Sequence, residues 1–231
     1  NRALVSAEDG RVFMSARAAS ALARAVVSHS GTIEATSATR VGGVIRLDGG
    51  ASTDVLISGK INASSTAAAG GQISVTGDRI TLASGAAVNA NGAIGGGKVS
   101  IGGGGAGVVS QPVQASRVSL KAGASIDVSA TDQGDGGQAV LWADIHRKGS
   151  VTEVAGNIQA KGGLRGGNGG FIETSASQVI VEKSATISTL APQGKSGLWL
   201  IDPTDFTISS GEGDSTTSSI GATTLQTMLA S

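Results

Sequence analysis

Pairs of glycines recur along the chain, and each pair opens a short run in which apolar and polar residues alternate. Gly42-Gly43 precedes Val44 to Leu47, Gly70-Gly71 precedes Gln72 to Val75, and Gly96-Gly97 precedes Lys98 to Ile101. Gly136-Gly137 before Gln138 to Leu141, and Gly169-Gly170 before Phe171 to Thr174, continue the series. A second alternating run follows in most units: Asp54 to Ile57, Arg79 to Leu82, Arg117 to Leu120 and Gln178 to Val181. A third is centred on Ile33, Ile61, Val88, Ile126, Ile158 and Ile187, at successive intervals of 28, 27, 38, 32 and 29 residues. Three short period-2 strands separated by Gly, Ser, Asn and Asp turns make one coil of a solenoid. The pattern predicts an all-β, right-handed parallel β-helix of about six coils, roughly 30 Å long at the ~4.8 Å strand spacing.

The interior of such a coil is narrow, and the composition fits it. There are 37 glycines and 3 prolines, with no tyrosine, three phenylalanines and two tryptophans, so Ile, Val, Leu and Ala must fill the core. A Gly- and Ser-rich linker has a related composition but does not place Ile or Val at each corresponding position. With 17 basic and 17 acidic residues and no block of either sign, nothing marks a nucleic-acid partner. No apolar run approaches the ~18 to 20 residues of a membrane span, and the opening residues lack a leader's pattern. The chain has no cysteine, which removes disulfides and thiolate metal sites and is compatible with export.

Two stretches interrupt the rhythm. Residues 15–27 are Ala-rich, with Met14, Ala18, Leu22 and Val26 at fourfold spacing, and predict a short helix. The 38- and 32-residue intervals contain Gly102 to Pro112 and Leu141 to Lys148, which read as extruded loops or an added strand. Residues 1–231 thus read as one β-helix segment of a longer chain. Residues 41–208 form its repeat coils, and 209–231 begin a further coil that is left incomplete.

Loops on one face of a solenoid are where binding resides, which directs attention to Trp142, Asp144, His146, Arg147 and Lys148. A tryptophan face with charged neighbours suits a glycan or protein contact. The plainer reading is a solvated turn with Trp142 packed against a loop. In Trp199-Leu200-Ile201-Asp202-Pro203 the ring can plug a widened coil, Asp202 can form an Asx turn, and Pro203 fixes the corner. Gly102 to Gly107 matches G-x-G-x-x-G, but Pro112 argues against the helix a dinucleotide site requires. Asp132 and Asp135 lack calcium-loop spacing, and Asn62-Ala63-Ser64 is an N-glycosylation triplet. Asp127, Asp144, Glu153, Glu173 and Asp202 fall in different coils, and only His29 and His146 are present, so neither an enzyme nor a cofactor is expected.

Several phrases, beyond the period, resemble the filamentous haemagglutinin and high-molecular-weight adhesin family of two-partner secretion exoproteins. They are Met14 to Ala35, Gly169-Gly170-Phe171-Ile172-Glu173-Thr174-Ser175, Leu198 to Pro203 with Phe206-Thr207-Ile208, and Val140-Leu141-Trp142. They span residues 14 to 208 in the family's order. The resemblance implies a secreted, surface-associated β-helical fibre of a Gram-negative bacterium, exported by an outer-membrane transporter. The family's Asn-Pro-containing export phrases are absent. That places residues 1–40 among the last secretion-domain-like coils and the rest at or just beyond that domain's end, with transporter recognition in sequence outside this chain. The expected function is adhesion to host cells, matrix or biofilm through glycans or proteins. The alternatives are the shaft of a toxin-delivery (contact-dependent inhibition) or haem-acquisition exoprotein and, further off, a polysaccharide-cleaving β-helix.

Overall fold

A computed structural model describes residues 1–8, 10–15, 26–37, 42–103, 113–211 and 218–229. Strand β1 (Leu4–Ser6) precedes six coils of three strands each. They are β2 (Arg11–Ser15), β3 (Val26–His29) and β4 (Thr32–Glu34); β5 (Val44–Asp48), β6 (Asp54–Ile57) and β7 (Lys60–Asn62); and β8 (Gln72–Thr76), β9 (Arg79–Leu82) and β10 (Ala87–Asn89). The next three are β11 (Lys98–Ile101), β12 (Arg117–Leu120) and β13 (Ser125–Asp127); β14 (Gln138–Trp142), β15 (Val151–Val154) and β16 (Asn157–Gln159); and β17 (Phe171–Ser175), β18 (Gln178–Val181) and β19 (Thr186–Ser188). Strands β20 (Leu198–Asp202), β21 (Thr207–Ser209) and β22 (Ser219–Gly221) and helix α1 (Ala222–Leu229) close the chain.

From β1 to β20 every third strand pairs in parallel with its counterpart one coil away, and with β21 and β22 the sheets number seven, seven and eight strands. The first sheet begins with β1 and contains the third run of each repeat, the second begins with β2 at the glycine pairs, and the third begins with β3. This is a parallel β-helix. The residues that set the repeat lie directly above one another: Ile33, Ile61, Val88, Ile126, Ile158 and Ile187 are successive register partners in the first sheet. Alternation turns these side chains inward, where all are buried. Two threonines on the inward side are bonded. Thr152 Oγ1 donates to the Ser175 carbonyl at 2.9 Å, and Thr174 Oγ1 accepts from Trp199 Nε1 at 3.2 Å.

Two local devices turn the chain from the first sheet into the second. Asn62, Asn89 and Asp127 end their strands as register neighbours, and the Oδ1 of each accepts from the backbone N–H two residues on, at Ser64, Asn91 and Ser129. These Asx turns leave Asn62 half-buried within a polar ladder. Each corner then closes through the second glycine of the pair: Gly97 N–H donates to Ala90 O at 2.8 Å, Gly137 to Val128 and Gly170 to Ala160 at 2.7 Å. Gly137 and Gly170 cannot be larger, because a Cβ on either would enter the carbonyl of the glycine one coil below.

The helix expected over 15–27 lies, apart from its ends, outside the described residues. Ser15 closes β2, and Val26 and Val27 open β3. At the other end, where the sequence suggests another coil, the chain forms β22 and then α1, whose Leu225 and Met228 pack against the core at the i, i+3 spacing of a helix face. Among the described residues no helix is long and apolar enough to cross a membrane.

His29 occupies an inward position directly beside Ile57 in the third sheet and is fully buried. Its Nε2 lies 3.0 Å from the Lys60 carbonyl, while Nδ1 is buried without a partner among the described residues. Burial holds the imidazole below the usual histidine range, the Lys60 contact offsetting only part of the effect. The folded state therefore resists a proton that the unfolded chain accepts below about pH 6.5, so stability should fall as pH drops through that value toward the folded-state pKa. In His29→Leu, which matches Leu82 and Leu120 of the same column, the loss of denaturation midpoint between pH 7 and pH 5 should be smaller than in the parent. An unchanged pH slope would remove His29 from the account.

Candidate functional site

The turn carrying the sequence-predicted site residues is built from β14 outward. Trp142 ends that strand with its side chain on the outer face of the second sheet, beside Ser175. The ring is half-buried. Its Nε1 donates to Gln114 Oε1 at 3.2 Å, and its edge lies against Gly103, where a Cβ would collide with Cδ1. Asp144 Oδ1 accepts from His146 N–H at 3.0 Å in an Asx turn, and the Asp144 carbonyl accepts from Arg147 N–H at 3.0 Å and Ser150 Oγ at 2.6 Å. Arg147 reaches back to Asp78, Nη1 to Oδ1 at 3.1 Å. Among these residues His146 and Lys148 extend into solvent. The five residues are thus neighbours in one turn but do not converge. Trp142 faces Gly103 and Gln114, while Arg147 ties the turn to an earlier coil.

The second sheet also carries an unusual burial on its outer face. Val140 and Glu173 occupy outward positions of the second sheet, in register with exposed Arg46, yet they are 4% and 0% exposed. Ser175 Oγ donates to Glu173 Oε1 at 3.0 Å. On this outer face Ser100 Oγ donates to the Gly103 carbonyl at 2.5 Å, and Gln114 meets Trp142. The extrusion expected within Gly102 to Pro112 falls, from residue 104 on, outside the described residues.

A more open feature runs along the glycine corner. Its floor is bare backbone at Gly96-Gly97, Gly136-Gly137, Gly169-Gly170 and Gly197, and its volume is about 650 Å³. One lip is the stack Lys98, Gln138, Phe171 and Leu198, each the first residue of its strand and in register with the next. Leu198 is 60% exposed and Phe171 partly so. The other lip carries Asp135 and Ser196. Asp135 Oδ1 accepts from Asn168 N–H at 2.6 Å and Nδ2 at 3.3 Å, and Asp132 pairs with Arg165, so both acidic-turn carboxylates hold the next coil. The signal for this groove was present in the glycine repeat, but the repeat reads as a corner and not as a floor.

Among the described residues the densest charge cluster lies on the third sheet. Glu153 meets Lys121 Nζ at 2.7 Å, Arg117 Nη2 at 3.1 Å and Ser119 Oγ at 3.2 Å. Burial pushes this carboxyl up, but the Lys121 and Arg117 hydrogen bonds outweigh it and hold the group below the usual carboxylate range. Nearby Glu182 is raised, by burial and then by the Glu153 charge. Glu153 on this sheet, Glu173 on the second and Asp127 on the first do not share a face. Among the described residues no group of three or more His, Asp or Glu side chains is placed to hold a metal ion.

No protein-family model matches the chain, and no curated protein matches it. A solved structure does match. The chain is similar to the HMW1 secretion domain from Haemophilus influenzae, with a TM-score of 0.69 and 28% sequence identity. The likeness covers 87% of this chain and 48% of that one, so the chain spans about half the length of the domain it matches. That neighbour is a secretion domain and not an enzyme, which is compatible with a non-enzymatic role, and the match agrees with the two-partner secretion resemblance in the sequence.

Turning to Trp199, Asp202 and Pro203, the ring takes the inward register beside Ile172, half-buried over the last complete coil. Asp202 ends β20 beside Ser175 and is exposed, its carbonyl accepting from Ala176 N–H at 3.4 Å. Pro203 follows at the corner, half-buried.

Proposed function

We propose that this chain is a β-helical segment of a secreted two-partner exoprotein, exported through an outer-membrane transporter that reads sequence outside residues 1–231. At the surface of a Gram-negative cell it forms part of an adhesive fibre. The likeness to the HMW1 secretion domain over 87% of the chain carries this reading.

Within the segment, the glycine-floored groove is the better contact for a glycan or protein of host or matrix. Both tryptophan rings are bonded to neighbours, whereas Phe171 stands at an open lip between Gln138 and Leu198. A sugar face can stack on that ring while Lys98 and Gln138 bond hydroxyls.

The test displays the full-length chain on cells with and without the transporter and measures surface exposure and adherence to a glycan array. Surface exposure should require the transporter. Phe171→Ala with Lys98→Ala should weaken glycan binding about tenfold, while Trp142→Ala with Arg147→Ala should leave it within about twofold. Exposure without the transporter overturns the secretion reading. Binding lost only in the second pair moves the contact to the 142–147 turn, and no glycan binding overturns the groove's assignment to a glycan.

A further inference from the structure

From the second coil to the sixth the third-sheet strand rests directly on that of the coil before it; the third-sheet strand that follows β18 in sequence does not. The order at this end is β18, β22, β21, so the later strand sits between the two earlier ones. Ser219 pairs with Ile180 on one side and with Thr207 on the other. The inward slot above Val181 is filled by Ile220, 1% exposed, while Ile208 is pushed to the edge at 61% exposed.

Residue counting gives β21 the stronger claim to that slot. Ser175 and Asp202 are register partners, and Val179 and Val181 lie four and six residues beyond Ser175. Phe206 and Ile208 lie four and six residues beyond Asp202. Ile80 and Leu82, both fully buried, stand at the same distances from Thr76 in an earlier coil. Docked directly on β18, β21 would place Phe206 and Ile208 above Val179 and Val181. The occupant seen offers Ser218 and Ile220 there, with Ser218 Oγ accepting from Val179 N–H at 3.1 Å. The smaller apolar content of β22 is offset by α1, whose Leu225 and Met228 cover the core.

We infer that residues 218–229 are a displaceable cap and that β21 is the strand that takes its place on β18. With the cap seated, the end is covered by a helix and edged by a three-residue strand. With the cap displaced, β20 and β21 lie side by side in successive sheets as a seventh coil with open edges, able to template a further strand. The device is a switch between two occupants of β18, built from two segments that compete for one row of hydrogen bonds.

The absence of cysteine makes a cross-linking test clean. An Ile180→Cys, Ser219→Cys pair reports the cap seated. An Ile180→Cys, Thr207→Cys pair reports β21 docked, since those residues are otherwise two strands, about 9.6 Å, apart and beyond disulfide reach. In the full chain under mild oxidation the first pair should close quickly and the second slowly. Adding Ile220→Asp, which puts a carboxylate in the inward slot, should speed closure of the second pair about tenfold or more. Ser219→Pro, which removes a ladder donor from β22, should act in the same direction. If neither variant speeds closure while the β-sheet circular dichroism is retained, the inference is overturned. Loss of that signal in both overturns it equally, because a cap that can leave is not what holds the coils together.

Discussion

Gly137→Ala should cost about 3 kcal/mol of stability or more, although it adds a single methyl group. The backbone at Gly137 is not in the left-handed region, so the loss is steric. The new Cβ would enter the Gly97 carbonyl and press on the Gly96 backbone. Those atoms cannot retreat, since Gly97 N–H is tied to Ala90 and the Gly97 carbonyl accepts from Gln138 N–H at 2.9 Å. Relief therefore requires lifting one coil off another. Gly149 is the matched control: its φ is 80° and nothing lies within 4 Å of an added Cβ. Gly149→Ala should cost only the left-handed penalty, about 1 to 2 kcal/mol. Urea midpoints of the two variants decide the matter, and a Gly137 variant no weaker than the Gly149 variant would refute the packing account.

Ile126→Ala should cost about 2 to 5 kcal/mol, the range for deleting most of a buried aliphatic side chain and leaving a cavity. Ile126 is fully buried between Val88 and Ile158, so the cavity weakens two coil interfaces at once. Leu56→Ala, on the outer face of β6 at 39% exposed, should stay within about 0.5 kcal/mol. Coils of a solenoid touch only their neighbours, so a weakened middle should also divide the unfolding. Both tryptophans, Trp142 and Trp199, lie beyond Ile126 in the chain. Their fluorescence and the far-ultraviolet circular dichroism of the whole solenoid should coincide in the parent and separate in Ile126→Ala. Coincident transitions with an unchanged midpoint would show that the ladder does not carry the stability assigned to it.

The coil architecture was legible because strand alternation and coil spacing are both periodic, and stacked residues must be of one kind. The intervals from Ile33 to Ile187 identify register partners that the folded chain pairs one by one. Asn62, Asn89 and Asp127 also recur at one position of the repeat, although the turn they share is visible only in the hydrogen bonds. What was not legible depends on contacts between coils distant in sequence. No local pattern ties Trp142 to Gln114 or Arg147 to Asp78, 69 residues away. His29 follows the inward alternation of Val27, but a titratable residue in a column of Ile and Leu carries no sequence mark of its burial. The groove is a surface formed only when glycine corners stack. The order β18, β22, β21 could not be read from periodicity, because Phe206 and Ile208 fit the slot that Ile220 occupies.

The direction of the coil-to-coil hydrogen bonds has a mechanical consequence. They run along the solenoid's long axis, so a pull applied through the two chain ends loads them in series and opens one row at a time. Each coil that peels away releases about 31 residues on average, up to roughly 105 Å of extended chain, from a layer that occupied about 5 Å. A cell tethered through such a segment would meet a yielding line, which lengthens stepwise under flow and rewinds when the load is removed.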